Sequence, residues 1–378
     1  MNVAIVQDSI GGGGRIVVII AMIEVLNKLS IIPDIVTFNF TLSEKEIEEK
    51  YGKKIRFRLK KIPVNLFRKL PEINILWINF LMRFYSKKYD LFIDSNNTTC
   101  LMPSNIKKIL SYTYFPRKRR VLAKESIKLL SDRSFKAKIA AYFDNKIASF
   151  FYRRDYIKEN TQIITLSDFS RRVICEEYSA NTDNIQVVYP PVNITDFENN
   201  KKKKNSITSI GRFSPAKRQL EQLEIAKDLP DIKFNIIGFA EEDNAYFLKC
   251  KKYIEENGLK NVTLHRNISY DKLIEILTSS KYFLHTLENE PFGITTVQGI
   301  AAGCIPIVPD SGGQIEIVPV RELRFEYINE VVKIVNQIEK ADFSLQLEKL
   351  KKHIRKYSEN NFKENFKNIM NKLSKDLQ

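Results

Sequence analysis

Histidine, cysteine and tryptophan are scarce in this chain of 378 residues, which has three, four and one of them. The cysteines, Cys100, Cys175, Cys250 and Cys304, lie far apart with no CxxC pair. With only His265, His285 and His353 to accompany them, neither a zinc site nor a disulfide framework is suggested, and reduced, mostly buried thiols are expected. Long apolar runs are missing as well. "IVVIIAMIEVL" (16–26) is interrupted by Glu24, and "INILWINFLM" (73–82) is about ten residues against the roughly twenty that a membrane span needs. The opening "MNVAIVQDSIGGGG" has neither a basic start nor a cleavage region, so a cytoplasmic protein is expected. Acidic residues fall short too, 45 against 61 Lys and Arg, leaving a formal charge of +16. Such an excess calls for nucleic acid, an anionic membrane surface or phosphorylated substrates.

What is present is globular. Apolar residues make up 43% and charged residues 28%, and the length suits two domains of ordinary size. Much of the charge is local, in "KKIRFRLKKIPVNLFRKL" (53–70), "FPRKRR" (115–120) and "KKKK" (201–204). The first interleaves cations with Ile, Phe, Leu and Val, as a membrane-surface segment would; a solvated amphipathic face is the alternative. The last, within "FENNKKKKNSI", has no apolar partner and reads as an interdomain linker. Short apolar strands alternate with helices on both sides of it. "MNVAIV", "DIVTF", "DLFID", "IKKILSYTY" and "QIITLS" precede it; "NSITSIG", "KFNIIG", "NVTLH", "KYFLHT" and "CIPIVP" follow. That alternation predicts an α/β protein with two parallel sheets, residues 1–195 and 205–354. A helix at about 355–378 either caps the second half or packs back on the first.

Three stretches carry chemistry. "GGGG" (11–14) ends the first strand and bares backbone N–H groups at the start of a helix, as a phosphate or sugar site would, although such turns also simply connect. Asp34 precedes its strand instead of ending it, which argues against a dinucleotide-binding dehydrogenase. In "GRFSPAKRQ" (211–219), Arg212 and Lys217 bracket a turn, so both cations can converge on phosphate oxygens; a solvated helix start is the plain alternative. "EPFGITTVQGIAAGCIPIV" (290–308) follows a strand and opens a helix. The N–H groups of Gly293, Ile294, Thr295 and Thr296 then form an anion site. Glu290 in the loop can accept sugar hydroxyls, and Gln298 in the first turn can hold a ribose. The small residues Ala301, Ala302 and Gly303 let this helix lie close against its sheet, and "DSGGQIE" (310–316) adds a glycine turn near the same edge.

In this order, "GGGGR", "VVYPPVN" (187–193), "GRFSPAKR", "NISYDKLIEIL", "LHTLENEPFGITTVQGIAAGCIPIV" and "SGG" resemble a retaining nucleotide-sugar glycosyltransferase of the GT-B type (glycosyltransferase family four). Within that family they are most similar to the α-1,2-mannosyltransferases that extend the dolichol-linked oligosaccharide. The resemblance covers residues 1–20 and most of 160–318 and is thin between about 40 and 105. It implies two Rossmann-like domains facing across a cleft, an N-terminal acceptor-side domain and a C-terminal nucleotide-sugar-binding domain. Arg212 and Lys217 match the pair that neutralises the departing diphosphate, and Glu290 the first glutamate of the family's paired motif. Phe292, Gly293, Ile294 and Thr295 match the cradle of the donor phosphates, and Gly13 and Gly14 the first-domain loop that approaches the donor. Two positions depart from the pattern. Gln298 stands for the second glutamate, keeping an acceptor but losing a charge, so donor affinity falls. Tyr114, in "YTYFP", stands where the similar enzymes carry histidine, which puts an acid–base or acceptor role there in doubt.

The resemblance implies transfer of a hexose, mannose being the first choice, from a nucleotide-sugar such as GDP-mannose to a glycan or lipid-linked acceptor with retention. It implies no cofactor and no metal, and no DxD-type carboxylate pair is present. The basic 53–70 segment would give peripheral contact with an anionic membrane inner face, and no nucleic-acid partner is expected. A nucleotide-sugar epimerase on the same scaffold would need acid–base groups in the cleft. A non-enzymatic nucleic-acid binder would need interleaved aromatics on one groove-sized face.

Overall fold

The computed structural model describes residues 1–10, 14–40, 42–62, 65–122, 135–182, 185–198 and 201–377. They divide into two compact units, one of Met1–Pro191 with Asn360–Gln378, the other of Val192–Glu359.

The first unit runs β1 (Val3–Val6), β2 (Ser9–Ile10), α1 (Gly14–Lys28), β3 (Asp34–Thr37), β4 (Asn39–Phe40), α2 (Glu44–Tyr51), β5 (Arg58–Lys61), α3 (Pro71–Leu81) and β6 (Leu91–Asp94). It continues through β7 (Lys108–Thr113), α4 (Arg117–Leu122), α5 (Phe135–Tyr152), β8 (Thr161–Thr165), α6 (Asp168–Tyr178) and β9 (Ile185–Val187). Seven strands form one parallel sheet in the order β5-β3-β1-β6-β7-β8-β9, with β2 and β4 as a separate short pair. The inner strands β1, β3 and β6 are buried at every residue, which is why they read as continuous apolar runs without alternation. Helix α1 is apolar nearly all round and nine of its fifteen residues are buried. Glu24, which interrupts that run, pairs with Lys363 at 2.8 Å.

The second unit runs β10 (Lys204–Ile210), α7 (Gln219–Asp228), β11 (Lys233–Gly238), α8 (Ala245–Glu256), β12 (Val262–Arg266), α9 (Tyr270–Ser279), β13 (Ser280–Leu284), α10 (Ile294–Ala301), β14 (Ile305–Pro309), α11 (Gln314–Ile317), β15 (Arg324–Phe325), α12 (Glu330–Lys340) and α13 (Ser344–His353). Its six strands are again parallel, ordered β12-β11-β10-β13-β14-β15. Strand order therefore reverses between β10 and β13, the place where ligands meet open α/β sheets. Helix starts are marked by their side chains: Asn244 caps α8 and Ser269 caps α9 through their side-chain oxygens.

Three expectations change. The lysine run is not a free linker: the second unit already begins at Val192. Lys203 Nζ donates to the carbonyl oxygens of Thr278 at 2.8 Å and Ala302 at 2.5 Å, and Lys204 opens β10. A lysine tethered to two orphan carbonyls is part of the sheet's foundation. The C-terminal helix is broken by a 3₁₀ turn, Ile354–Tyr357. Before the break, α13 belongs to the second unit; after it, α14 (Glu359–Asp376) packs into the first, burying Phe362, Phe366, Ile369, Met370 and Leu373. The close approach of α10 to its sheet is made by Gly299, where an added Cβ would stand 2.5 Å from Cγ of Phe283. Ala302 and Gly303 instead end the helix, Gly303 in the left-handed region at φ 80°.

The 53–70 segment also has a structural role. β5 is the sheet's edge strand, and Ile55 and Ile62 are buried while Leu59 and Leu66 are exposed. Cations along an edge strand discourage pairing with other chains, and Arg58 Nε bonds Asp34 at 2.5 Å.

Replacing Gly299 with alanine should overpack α10 against Phe283 and destabilise the protein by about 1–3 kcal/mol. A thermal melt equal to the wild type would contradict this packing.

Candidate active site

At the switch point of the second sheet, the ends of β10 and β13 each lead into a charged loop. After β10 come Arg212, a 3₁₀ turn at Pro215–Lys217, and Arg218 in the left-handed region at φ 54°. After β13 comes the segment 285–291, with Asn289 left-handed at φ 52°. Non-glycine residues held in that region cost on the order of 1 kcal/mol each and cluster at functional sites. The two loops meet through charge. Lys217 Nζ lies 2.6 Å from Glu290 Oε2, each side chain 24% exposed, and the Arg218 guanidinium pairs with Glu288. The turn itself is pinned, since the Lys217 carbonyl accepts the Thr286 hydroxyl at 2.7 Å and the Gln222 amide at 3.3 Å. The aliphatic stem of Lys217 lies against Gly211, where a Cβ would stand 3.2 Å from its Cδ.

Burial alone would raise the Glu290 carboxyl. The His285 imidazole beside it and the Lys217 ammonium outweigh burial and hold it down at about 2. His285 is fully enclosed, and burial lowers its pKa below the ordinary value against the pull of Glu290, so the ring is neutral at neutral pH. Its Nε2 lies 3.5 Å from Glu290 Oε2, at the outer edge of hydrogen-bonding range. The Lys217–Glu290 pair thus joins an ionised carboxylate to an ammonium that has given up most of its contact with water.

Beside it stands the N-terminus of α10. The amides of Thr296 and Val297 turn back to the Gly293 carbonyl at 3.0 and 3.2 Å, so Thr296 is not the donor expected. The first-turn donors that no helical carbonyl reaches are those of Ile294 and Thr295, with Gly293 at the cap. Gly293 sits at φ 130°, and a Cβ there would fall 2.3 Å from Nε2 of Gln314. Gln314 is buried and accepts the Thr296 hydroxyl at 2.9 Å through Oε1. The "SGG" motif explains itself here. A Cβ on Gly312 would lie 2.6 Å from the Glu290 carbonyl oxygen, and Gly313 N–H donates to that oxygen at 2.8 Å. This second loop sets the backbone of Glu290.

Of the expected site residues, Lys217, Glu290, Gly293, Ile294 and Thr295 therefore share one edge of the second unit. Arg212 leaves the same turn as Lys217; its side chain is exposed and makes no ion pair among the described residues. Gln298 is in the second turn of α10, one turn deeper than expected. The Phe292 side chain is buried edge-on against Tyr357, ring centroids 5.1 Å apart, so only its backbone is left to face a ligand. Gly14 opens α1 in the first unit, and Gly13 lies outside the described residues. Tyr114 is also in the first unit, with Arg15 over its ring at 5.6 Å. Burial raises its hydroxyl to about 12, against the pull of the Arg15 charge. It stays a neutral phenol at pH 7. No group of three or more His, Cys, Asp or Glu that could hold a metal occurs among the described residues.

Sequence reasoning missed His285, Arg218, Glu288 and Gln314. Arg218 and Glu288 stood next to singled-out positions as ordinary surface charges. Gln314 gave no signal until the fold put it behind Gly293.

Comparison with known proteins fits this geometry. Residues 193–364 match the family "Glycosyl transferases group 1". Among curated proteins, the "GDP-Man:Man(3)GlcNAc(2)-PP-Dol alpha-1,2-mannosyltransferase" of Xenopus laevis is 30% identical over 149 residues, 35% of this chain and 30% of that protein. The human protein of the same name is 26% identical over 218 residues, 50% of this chain and 44% of that one. The chain thus matches less than half the length of these relatives. Among solved structures, Anabaena HepE in complex with UDP superposes with a TM-score of 0.72 at 14% identity, over 98% of this chain and 100% of that one. A Rickettsia africae glycosyltransferase gives 0.69 at 16%, over 99% and 98%. At such identities these structures speak for the fold alone, which is GT-B with two Rossmann-like units.

The site predicts a pH signature. The folded pKa of Glu290 is below its unfolded value, so its stabilisation is complete above about pH 4.5 and is lost as pH falls towards about 2. Glu290→Gln, which strands the Lys217 charge, should cost about 1–2 kcal/mol at pH 7. That gap should close between pH 4.5 and 2; a gap constant over the range would contradict the assigned pairing.

Proposed function

From the match of residues 193–364 to the group 1 glycosyl transferases, we propose that the protein moves a hexose from a nucleotide-sugar to a glycan or lipid-linked acceptor with retention of configuration. Mannose, carried as GDP-mannose, is the sugar that the names of the relatives favour. The observation that carries the reading is the Lys217–Glu290 pair beside the first turn of α10. A cation, a carboxylate and a fan of backbone donors in one place are what a sugar diphosphate needs.

In this reading the donor separates the ion pair. Lys217 and the exposed Arg212 take the diphosphate, with the amides of Gly293, Ile294 and Thr295 on its other oxygens. Glu290, ionised over the whole working pH range, accepts hydroxyls of the transferred sugar. As the glycosidic bond breaks, charge grows on the leaving diphosphate, and these fixed donors stabilise it without reorganising. The acceptor oxygen then attacks from the face the phosphate leaves. Charge neutralisation at the leaving group is assigned to side chains and helix amides, with no metal or cofactor. Gln298 offers the ribose a neutral acceptor. Tyr114, with its high pKa, serves an acceptor sugar as a hydrogen-bonding group, not a base. The membrane role expected of the basic surface fits a lipid-linked acceptor at the cytoplasmic face. Neither the family match nor the relatives support an epimerase or a nucleic-acid binder.

Arg212→Ala gives the cleanest test, because that side chain holds nothing in the fold. Release of nucleoside diphosphate coupled to sugar transfer should fall at least tenfold. Lys217→Ala should reduce it on the order of 100-fold or more. Full turnover in both variants would remove the leaving-group assignment. Chelation with EDTA should leave turnover unchanged, and a loss restored by a divalent ion would assign the diphosphate to a metal. Gln298→Glu should tighten donor binding in calorimetry, and unchanged affinity would separate position 298 from the ribose.

A further inference from the structure

Helix α5 is inside out. Five of its large apolar side chains, Ile139, Tyr142, Phe143, Ile147 and Phe150, are between 43% and 56% exposed. At about 100° per residue they fall in an arc of about 140° on one face. The opposite face is fixed. Asp144 accepts the amides of Glu72 at 3.0 Å and Ile73 at 2.9 Å, capping the start of α3. Ala148 and Tyr152 are fully buried in a cluster with Leu76, Cys100 and Val121. With a carboxylate anchored inward, the helix cannot roll to hide its aromatics, and a soluble surface rarely leaves such a patch without a use.

We propose that this face of α5 lies on an anionic lipid surface, with the helix in the plane of the interface. Charge selects that occupant. Lys146 lies within the apolar arc with its ammonium 5.6 Å from the Tyr142 ring centroid, and Arg154 stacks on Phe150 at 4.1 Å. Lys138 and Arg153 add to them, while the one acid of α5, Asp144, is turned inward. Cations whose stems run along apolar rings snorkel to phosphate headgroups as the rings enter the acyl boundary. A second copy of the same face would oppose like charges. Aliphatic Ile139 and Ile147 offer bases nothing to stack on. No helix among the described residues is long and apolar enough to cross a membrane, so contact is in plane. The surface differs from the 53–70 segment that the sequence pointed to, whose buried Ile55 and Ile62 serve the core. The purpose of this contact rests on the lipid-linked acceptor proposed above; its test does not, because it involves no sugar transfer.

The test is co-sedimentation of the full chain with vesicles of phosphatidylcholine, with and without phosphatidylglycerol. Wild type should pellet with the anionic vesicles and release in high salt. Tyr142→Ser, Phe143→Ser and Phe150→Ser combined should weaken binding at least tenfold with an unchanged melting temperature. Lys146→Glu with Arg154→Glu, which leaves the buried face of α5 untouched, should abolish the preference for anionic lipid. Leu59→Ser with Leu66→Ser should bind as wild type. Undiminished binding of the triple variant, no binding by wild type, or a wild-type dimer dissolved by the triple variant would each overturn the proposal.

Discussion

The ammonium of Lys217 and the carboxylate of Glu290 face each other from the loops that follow the adjacent strands β10 and β13, and much of the structure around those loops holds them there. Three loops converge on the pair. The first is pinned by Thr286 and Gln222 at the Lys217 carbonyl. The second carries Glu290 between left-handed Asn289 and the start of α10. The third, with Gly312 against Glu290 and Gly313 against Pro291 and Phe292, sits so close to that backbone that no side chain could be accommodated. An ion pair with each partner only a quarter exposed gains from its low-dielectric setting but has given up hydration. In the proposed reaction such a pair trades one partner for a more highly charged one, the donor diphosphate.

The electrostatics assign a division of labour. Glu290 remains ionised because His285 and Lys217 overcome its burial, and His285 remains neutral because burial overcomes Glu290. Neither group is poised to exchange protons near neutrality. The site handles charge by placement, through fixed donors and a fixed carboxylate, which suits the proposed reaction, whose main demand is the charge gained by a departing diphosphate.

The sequence made the two-sheet architecture legible because buried parallel strands read as short apolar runs and each is followed by a helix. It made legible the edge where Lys217, Glu290 and the start of α10 meet, because glycines and a helix start are local features. It misread the lysine run, since nothing in "KKKK" announces that Lys203 will find two carbonyls on distant elements. It credited Ala301, Ala302 and Gly303 with a close approach that Gly299 makes, because which helix face meets Phe283 depends on the sheet beneath. Gln314 and His285 could not be valued without the fold, as their importance comes from what stands against them. The exposed face of α5 escaped notice for a related reason: its apolar spacing is that of any core helix, and only the inward capping by Asp144 reverses its sense.

The most direct test of the central exchange is a crystal structure of the full chain with a bound nucleoside diphosphate. The account predicts Lys217 Nζ drawn from Glu290 to a phosphate oxygen, with the β-phosphate at the amides of Gly293–Thr295. A nucleotide seated elsewhere, with the 2.6 Å Lys217–Glu290 contact intact, would contradict it.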